Sequence, residues 1–146
     1  MLENGYLMFQ DMDAILSGLK KKTYEVNMGL YGEKYKEYFD EILDSVGAAE
    51  DKDGVAGAII DSLCQQVREK YSKKGKISKK MLMNLNFVMI YYIFPTLLLR
   101  EDENSKLIAN NFRDGWNEYF GSSIDYTTYE ALLDGFKNRI FGFIIG

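Results

Sequence analysis

Tyr31, Tyr35, Tyr38, Phe39, Ile42, Leu43 and Val46 recur three and four residues apart. That spacing lines them along one face of a helix, with Glu33, Lys34, Lys36, Glu37, Asp40, Glu41 and Asp44 on the opposite face and Gly47 as the stop. The same period marks four more segments. Phe9, Met12, Ile15, Leu16 and Leu19 predict a first helix, closed by Lys20-Lys21-Lys22, whose charge suits the negative end of a helix dipole. Ala56, Ile59, Ile60, Leu63, Val67 and Tyr71 form the stripe of a third, with Asp53 as its expected cap and Cys64 flanking the stripe. Leu107, Ile108, Phe112, Trp116, Tyr119 and Phe120 predict another, begun at Asn104 or Ser105 and ended by Gly121. A last helix starts at the capping box Thr127-Thr128-Tyr129-Glu130 and carries Tyr129, Leu132, Leu133, Phe136, Ile140 and Phe143.

Between these amphipathic segments lies Met81–Leu99, in which only Asn84, Asn86, Pro95 and Thr96 are neither aliphatic nor aromatic. A helix apolar nearly all round is buried, so Met81–Phe94 is expected to be the hub on which the other faces pack, with Ser78 as its cap. Pro95 lacks a donor and disfavours helical geometry in the residue before it, so a kink or break is expected there. Asn86 falls among the aliphatics and needs a partner. The expected fold is all-α: a compact single-domain bundle of about six helices around Met81–Leu99. The absence of any alternating apolar-polar run argues against a sheet.

Composition then narrows the chemistry. The 146 residues suffice for one domain with a real core, and a single proline with no low-complexity tract marks no domain boundary. There is no histidine, which removes the commonest general base and the commonest metal ligand. Cys64 is the only cysteine, so no internal disulfide or thiolate cluster can form, and a reducing cytoplasm is the expected compartment. The start MLENGYLMFQDMDAI lacks the pattern of a signal peptide. Glu50-Asp51-Lys52-Asp53-Gly54 alternates acids before a glycine, but with Gly54 as the turn glycine the first and last calcium-ligand positions are Ala49 and Ile60. No catalytic residue, metal site or cofactor is expected, and the chain is read as a non-enzyme.

Charge changes the picture most. Arg68, Lys70, Lys73, Lys74, Lys76, Lys79 and Lys80 against Glu69 give +6 from 68 to 80, leaving −10 over the remainder of a chain whose net charge is −4. Lys70, Lys73, Lys74, Lys76, Lys79 and Lys80 are therefore a candidate surface for an acidic protein partner. Nucleic acid is disfavoured because the acidic remainder would repel it and Tyr71 alone could stack. The chain also ends on an apolar run in which Phe141, Phe143, Ile144 and Ile145 are a candidate association surface for a homodimer. The expected function is a non-catalytic helical interaction or regulatory module that self-associates. The alternative is a small-molecule binder with an apolar pocket between helices, lined by Asn84, Tyr91, Tyr92 and Trp116. A membrane-spanning Met81–Leu99 is disfavoured by its two asparagines and its proline, and by the other faces, which need a core to cover them.

Overall fold

A computed structural model of the chain describes residues 2–10, 12–14, 16, 38–94, 97 and 103–124. Among them the chain is mostly helical and no strand is present. A 3₁₀ helix, Leu2–Phe9, is followed by helical residues 12–14 and 16, by α1 over 38–47, α2 over Lys52–Tyr71, α3 over Lys79–Val88 and α4 over Glu103–Phe120. The last predicted helix, 127–143, and the expected kink at Pro95 lie outside the described residues.

The periodic stripes become the core. Phe39, Ile42, Leu43 and Val46 of α1 are buried, as are Ala56, Ile59, Ile60, Leu63 and Val67 of α2 and Ile108, Phe112 and Trp116 of α4. α2 packs along α4 and against the 3₁₀ helix. The N-terminal segment is held by aromatic contacts. Phe9 stacks on Trp116 at 5.6 Å between ring centroids and meets the edge of Tyr71 at 6.5 Å, while the Tyr71 hydroxyl donates to the Phe9 carbonyl at 3.0 Å. The predicted first helix, begun at Phe9, is α-helical at its described residues 12–14 and 16 and buries Phe9 and Met12; the 3₁₀ helix Leu2–Phe9 precedes it in a stretch for which periodicity predicts no helix.

The caps follow from local chemistry. Ser78 caps α3 as expected, its hydroxyl accepting from the Met81 amide at 3.1 Å. α2 is capped by Asp51 and not by Asp53: the Asp51 carboxylate accepts from Gly54 N at 3.0 Å, and Asp53 instead accepts from the Asn111 amide at 3.3 Å. α4 ends at Gly121, whose φ of +63° lets the Ser122 amide fold back onto the Asn117 carbonyl at 3.1 Å.

The stretch expected to be the hub is buried in part. Leu85, Val88, Met89, Tyr92, Ile93, Phe94 and Leu97 are covered, and α3 runs on into a π-helical turn over Met89–Ile93 in which the Phe94 amide reaches the Met89 carbonyl. A proline at 95 brings no N–H for the carbonyl four residues back and a ring that crowds it, which gives a physical reason for the helix to widen in the residues before it. The stretch departs from the expectation of full burial: Met81, Leu82, Asn84, Asn86 and Ile90 are half-buried, Met83 is 65% exposed and Phe87 38%. An apolar helix can have more circumference than its neighbours cover, and Met83 lies on the sector left most open.

Cys64 is buried in α2, and burial, with Asp61 adding to it and Arg68 opposing, pushes its thiol from an ordinary value near 9 up to about 12. Burial and then Glu41 push the Tyr38 hydroxyl from about 10 up to about 12. In both cases the folded chain holds its proton more tightly than the unfolded one. Their contribution to stability is complete below pH 9 and is lost as the pH rises through 12. Iodoacetamide at pH 8 should accordingly leave Cys64 unmodified in the native protein and alkylate it in urea, and the urea midpoint should fall between pH 9 and pH 11. Rapid native alkylation would show that the thiol is accessible and ionised.

Candidate interaction surface

α2 sets the long axis of the charge distribution. At 1.5 Å per residue its 20 residues span about 30 Å. Glu50, Asp51 and Asp53 are exposed at its N-terminal end, and Arg68 and Lys70 at its C-terminal end. Each sign sits where the helix dipole favours it. The two cations at the basic end also contact aromatic rings: Arg68 lies over Tyr119 at 4.8 Å and Phe120 at 5.8 Å, and Lys70 over Tyr6 at 5.4 Å.

The next five lysines are placed differently. The Lys73 amide donates to the Lys76 carbonyl at 2.8 Å and the Lys76 amide to the Lys73 carbonyl at 3.1 Å, closing a two-residue turn. Its central residues Lys74 and Gly75 have φ of +55° and +76°, the pattern of a type I′ turn. Glycine accepts that geometry freely, whereas a lysine there carries a strain that asparagine or glycine would relieve. Lys79 and Lys80 then occupy the first turn of α3, the end at which cations oppose the dipole. Lys73, Lys74, Lys76, Lys79 and Lys80 are all exposed, and among the described residues none is paired with an acidic side chain. Intramolecular stability therefore explains neither the strained Lys74 nor the two lysines at the wrong end of a helix.

Along α3 the lysines run directly into the exposed apolar pair. Taking Met83 as zero, Lys79 and Phe87 lie about 40° to either side and Lys80 about 60° away, so all four share one sector. From Lys79 to Phe87 is about 12 Å along the axis. The basic run thus passes without interruption along the chain from the turn into the exposed sector of α3. Met83 and Phe87 follow Lys79 at i+4 and i+8, a spacing that ties them to the basic run but does not by itself say that this sector of an all-round apolar helix is the open one.

The residues expected to line an apolar pocket are placed as follows. Trp116 is fully buried, its Nε1 donating to the Asn86 Oδ1 at 2.7 Å and its ring 4.5 Å from that of Phe120. Tyr92 is buried, Asn84 is half-buried, and the Tyr91 side chain lies outside the described residues. The structure thus joins Trp116 to Asn86, whose amide also donates to the Ser122 hydroxyl at 3.2 Å. That network ties α3 to the end of α4. A separate open groove of about 350 Å³ lies between the start of α2 and the first turns of α4, lined by Asp53, Glu103, Lys106, Leu107, Asn110 and Asn111. It stands wide open to solvent and five of its six lining residues are polar or charged, unlike a site that encloses a small apolar ligand. Phe141, Phe143, Ile144 and Ile145 lie outside the described residues. No helix among the described residues is long and apolar enough to cross a membrane.

Substituting Lys73, Lys74 and Lys76 together by serine should change stability by no more than about 0.5 kcal/mol, because exposed charges away from a core or cap contribute little. Thermal denaturation followed by circular dichroism checks this. A large loss would mean that the turn is held by its ammonium groups.

No family model matches the chain, and no curated protein and no solved structure matches it. Function has to be read from the residues and where they lie.

Proposed function

We propose that this chain is a non-catalytic helical interaction module of the cytoplasm, an all-α domain of about six helices built on Met81–Leu99, that engages a macromolecular surface through the lysine turn and the exposed sector of α3. One observation carries the reading: five exposed lysines in the turn and the first turn of α3 lead into the exposed Met83, which shares a helix sector with Lys79 and Lys80, and folding requires neither the strained Lys74 nor the helix-opposing Lys79 and Lys80. The chemistry available elsewhere supports it. With no histidine in the chain, catalysis would have to rest on carboxylates, lysines, tyrosines or Cys64, and Cys64 is buried with its proton held.

The test is a panel of macromolecular surfaces offered to the wild type and to a Lys73→Ser/Lys74→Ser/Lys76→Ser/Met83→Ser variant. The panel comprises the chain itself, by light scattering over a range of concentrations, a soluble polyglutamate, and lipid vesicles. Association with at least one of these, weakened in the variant while the fold is retained, is the expected result. Failure of all three, or association that the variant leaves unchanged, would overturn the proposal.

A further inference from the structure

We infer that the lysine turn and the Met83 sector of α3 dock on an anionic phospholipid bilayer, with the lysines at the headgroup phosphates and Met83 entering the boundary between headgroups and acyl chains. The inference rests on the interaction-module reading and names the partner of that same surface.

Four observations favour a lipid surface. The first is the kind of cation. All five exposed cations of the turn and of the α3 first turn are lysines, and the single arginine of the cluster, Arg68, is engaged by Tyr119 and Phe120. Arginine supplies the planar, bidentate contacts of protein recognition and is enriched at protein interfaces, where lysine is depleted. Lysine is a hydrated point charge on a flexible stem and suits a fluid array of phosphates. The second is that the most exposed large apolar side chain among the described residues, Met83, shares a sector with Lys79 and Lys80, one turn away. A helix resting on a bilayer by that sector places the ammonium groups among the phosphates and the thioether below them, because lysine stems can reach up along the apolar boundary.

The third is geometry. The type I′ turn closes at Lys76, two residues before the Ser78 cap, so Lys73, Lys74 and Lys76 adjoin the first turn of the helix that carries Met83. The fourth is the charge elsewhere. The chain carries −10 outside residues 68–80, and with Glu50, Asp51 and Asp53 exposed at the far end of α2 an anionic surface repels that end and attracts the lysine end. The acidic remainder therefore fixes the orientation of docking. Glu69 is the one acid inside the cluster. This docking is peripheral and differs from the membrane crossing that the sequence disfavours.

The experiment is sedimentation of the full chain with vesicles of phosphatidylcholine alone and of phosphatidylcholine with phosphatidylserine, at low and high salt, with soluble polyglutamate as a competing polyanion-binding control. Binding is expected only to the phosphatidylserine vesicles, and it should weaken as salt shortens the screening length. Lys73→Ser/Lys74→Ser/Lys76→Ser should lower the affinity by roughly a hundredfold, at about fivefold per lysine. The corresponding Lys→Arg triple variant should retain it, since charge and not stereochemistry is read. Met83→Trp should give an indole emission that shifts to the blue on adding anionic vesicles.

Equal binding to both vesicle types, an unshifted Met83→Trp emission, or an unaffected serine variant would overturn the docking. Association with polyglutamate or with a second copy of the chain, in place of vesicles, would also overturn it while leaving the interaction-module reading intact. Association with nothing at all would remove both. Circular dichroism of each variant separates loss of binding from loss of fold.

Discussion

Replacing Trp116 by alanine is expected to destabilise the protein by about 3–5 kcal/mol, the range for removing a buried aromatic side chain. In a chain of this size that corresponds to a fall in Tm of roughly 10 °C or more. The magnitude follows from what the indole holds together. It is fully buried, stacks on Phe9 and lies 4.5 Å from Phe120, and so joins the N-terminal 3₁₀ helix to α4. Its N–H is the donor for the Asn86 Oδ1, which joins α4 to α3. Alanine leaves a cavity where three elements meet and removes that donor. Trp116→Phe separates the two effects: it keeps most of the packing and loses the hydrogen bond. Because Asn86 is half-buried and water can reach it, the loss should be near the low end of about 1–3 kcal/mol. A second substitution, Asn86→Leu, should add little to Trp116→Phe, since the two share one interaction. Urea denaturation of the two single variants and the double variant measures the coupling. Fully additive losses would show that the Trp116–Asn86 contact contributes nothing.

The same contact shows how far the sequence could be read. Asn86 lies on an apolar sector of the hub, and the cost of an unpaired amide there requires a partner; periodicity places Trp116 on the inward face of α4. What the sequence lacked was the pairing of the two, because period says which face is inward and nothing about which neighbour it meets. The stripes of α2 and α4, the Ser78 cap and the Gly121 stop were legible for that reason: each depends on residues close in sequence. Asp53, the expected cap of α2, gives way to Asp51 because both are good cap residues two positions apart, and the recruitment of Asp53 by Asn111, 58 residues on, is invisible to local pattern.

The candidate surface was half legible. Lysine clustering between 70 and 80 is a matter of counting. The turn that presents it is harder to see, since a lysine at φ +55° does not announce a type I′ turn as asparagine before glycine would. The exposure of Met83 and Phe87 was hidden by the composition of the hub itself. A helix apolar on nearly every side has no polar face to mark the sector left uncovered, so the direction of exposure is set by the placement of its neighbours. Exposed apolar residues that continue a basic run are worth attention for this reason: the basic run marks the side that faces water.

Gly115→Ala is expected to destabilise the protein by about 1–3 kcal/mol, against the direction that helix propensity alone would give. Alanine is better than glycine inside a helix by roughly 1 kcal/mol, so an exposed position in the middle of α4 would gain from the change. Gly115 is where α4 meets α2. A β-carbon built on it would lie 2.8 Å from Ile60 Cγ2 and 3.1 Å from Cγ1, well inside van der Waals contact. Whether that contact can relax decides the sign. Ile60 is branched at Cβ, buried, and confined by its helix to essentially one χ1 rotamer, so its methyls cannot swing aside as the end of a lysine or methionine could. Relief must come from separating α2 and α4, which loosens the packing of Phe112 and Trp116 as well. Ile60→Ala alone should cost about 2–5 kcal/mol by opening a cavity. Combined with Gly115→Ala it should cost less than the sum, because the new methyl fills part of the space that the isoleucine vacates. Chemical denaturation of the three variants gives the coupling directly. Stabilisation by Gly115→Ala alone would show that α2 and α4 stand farther apart in solution than these distances.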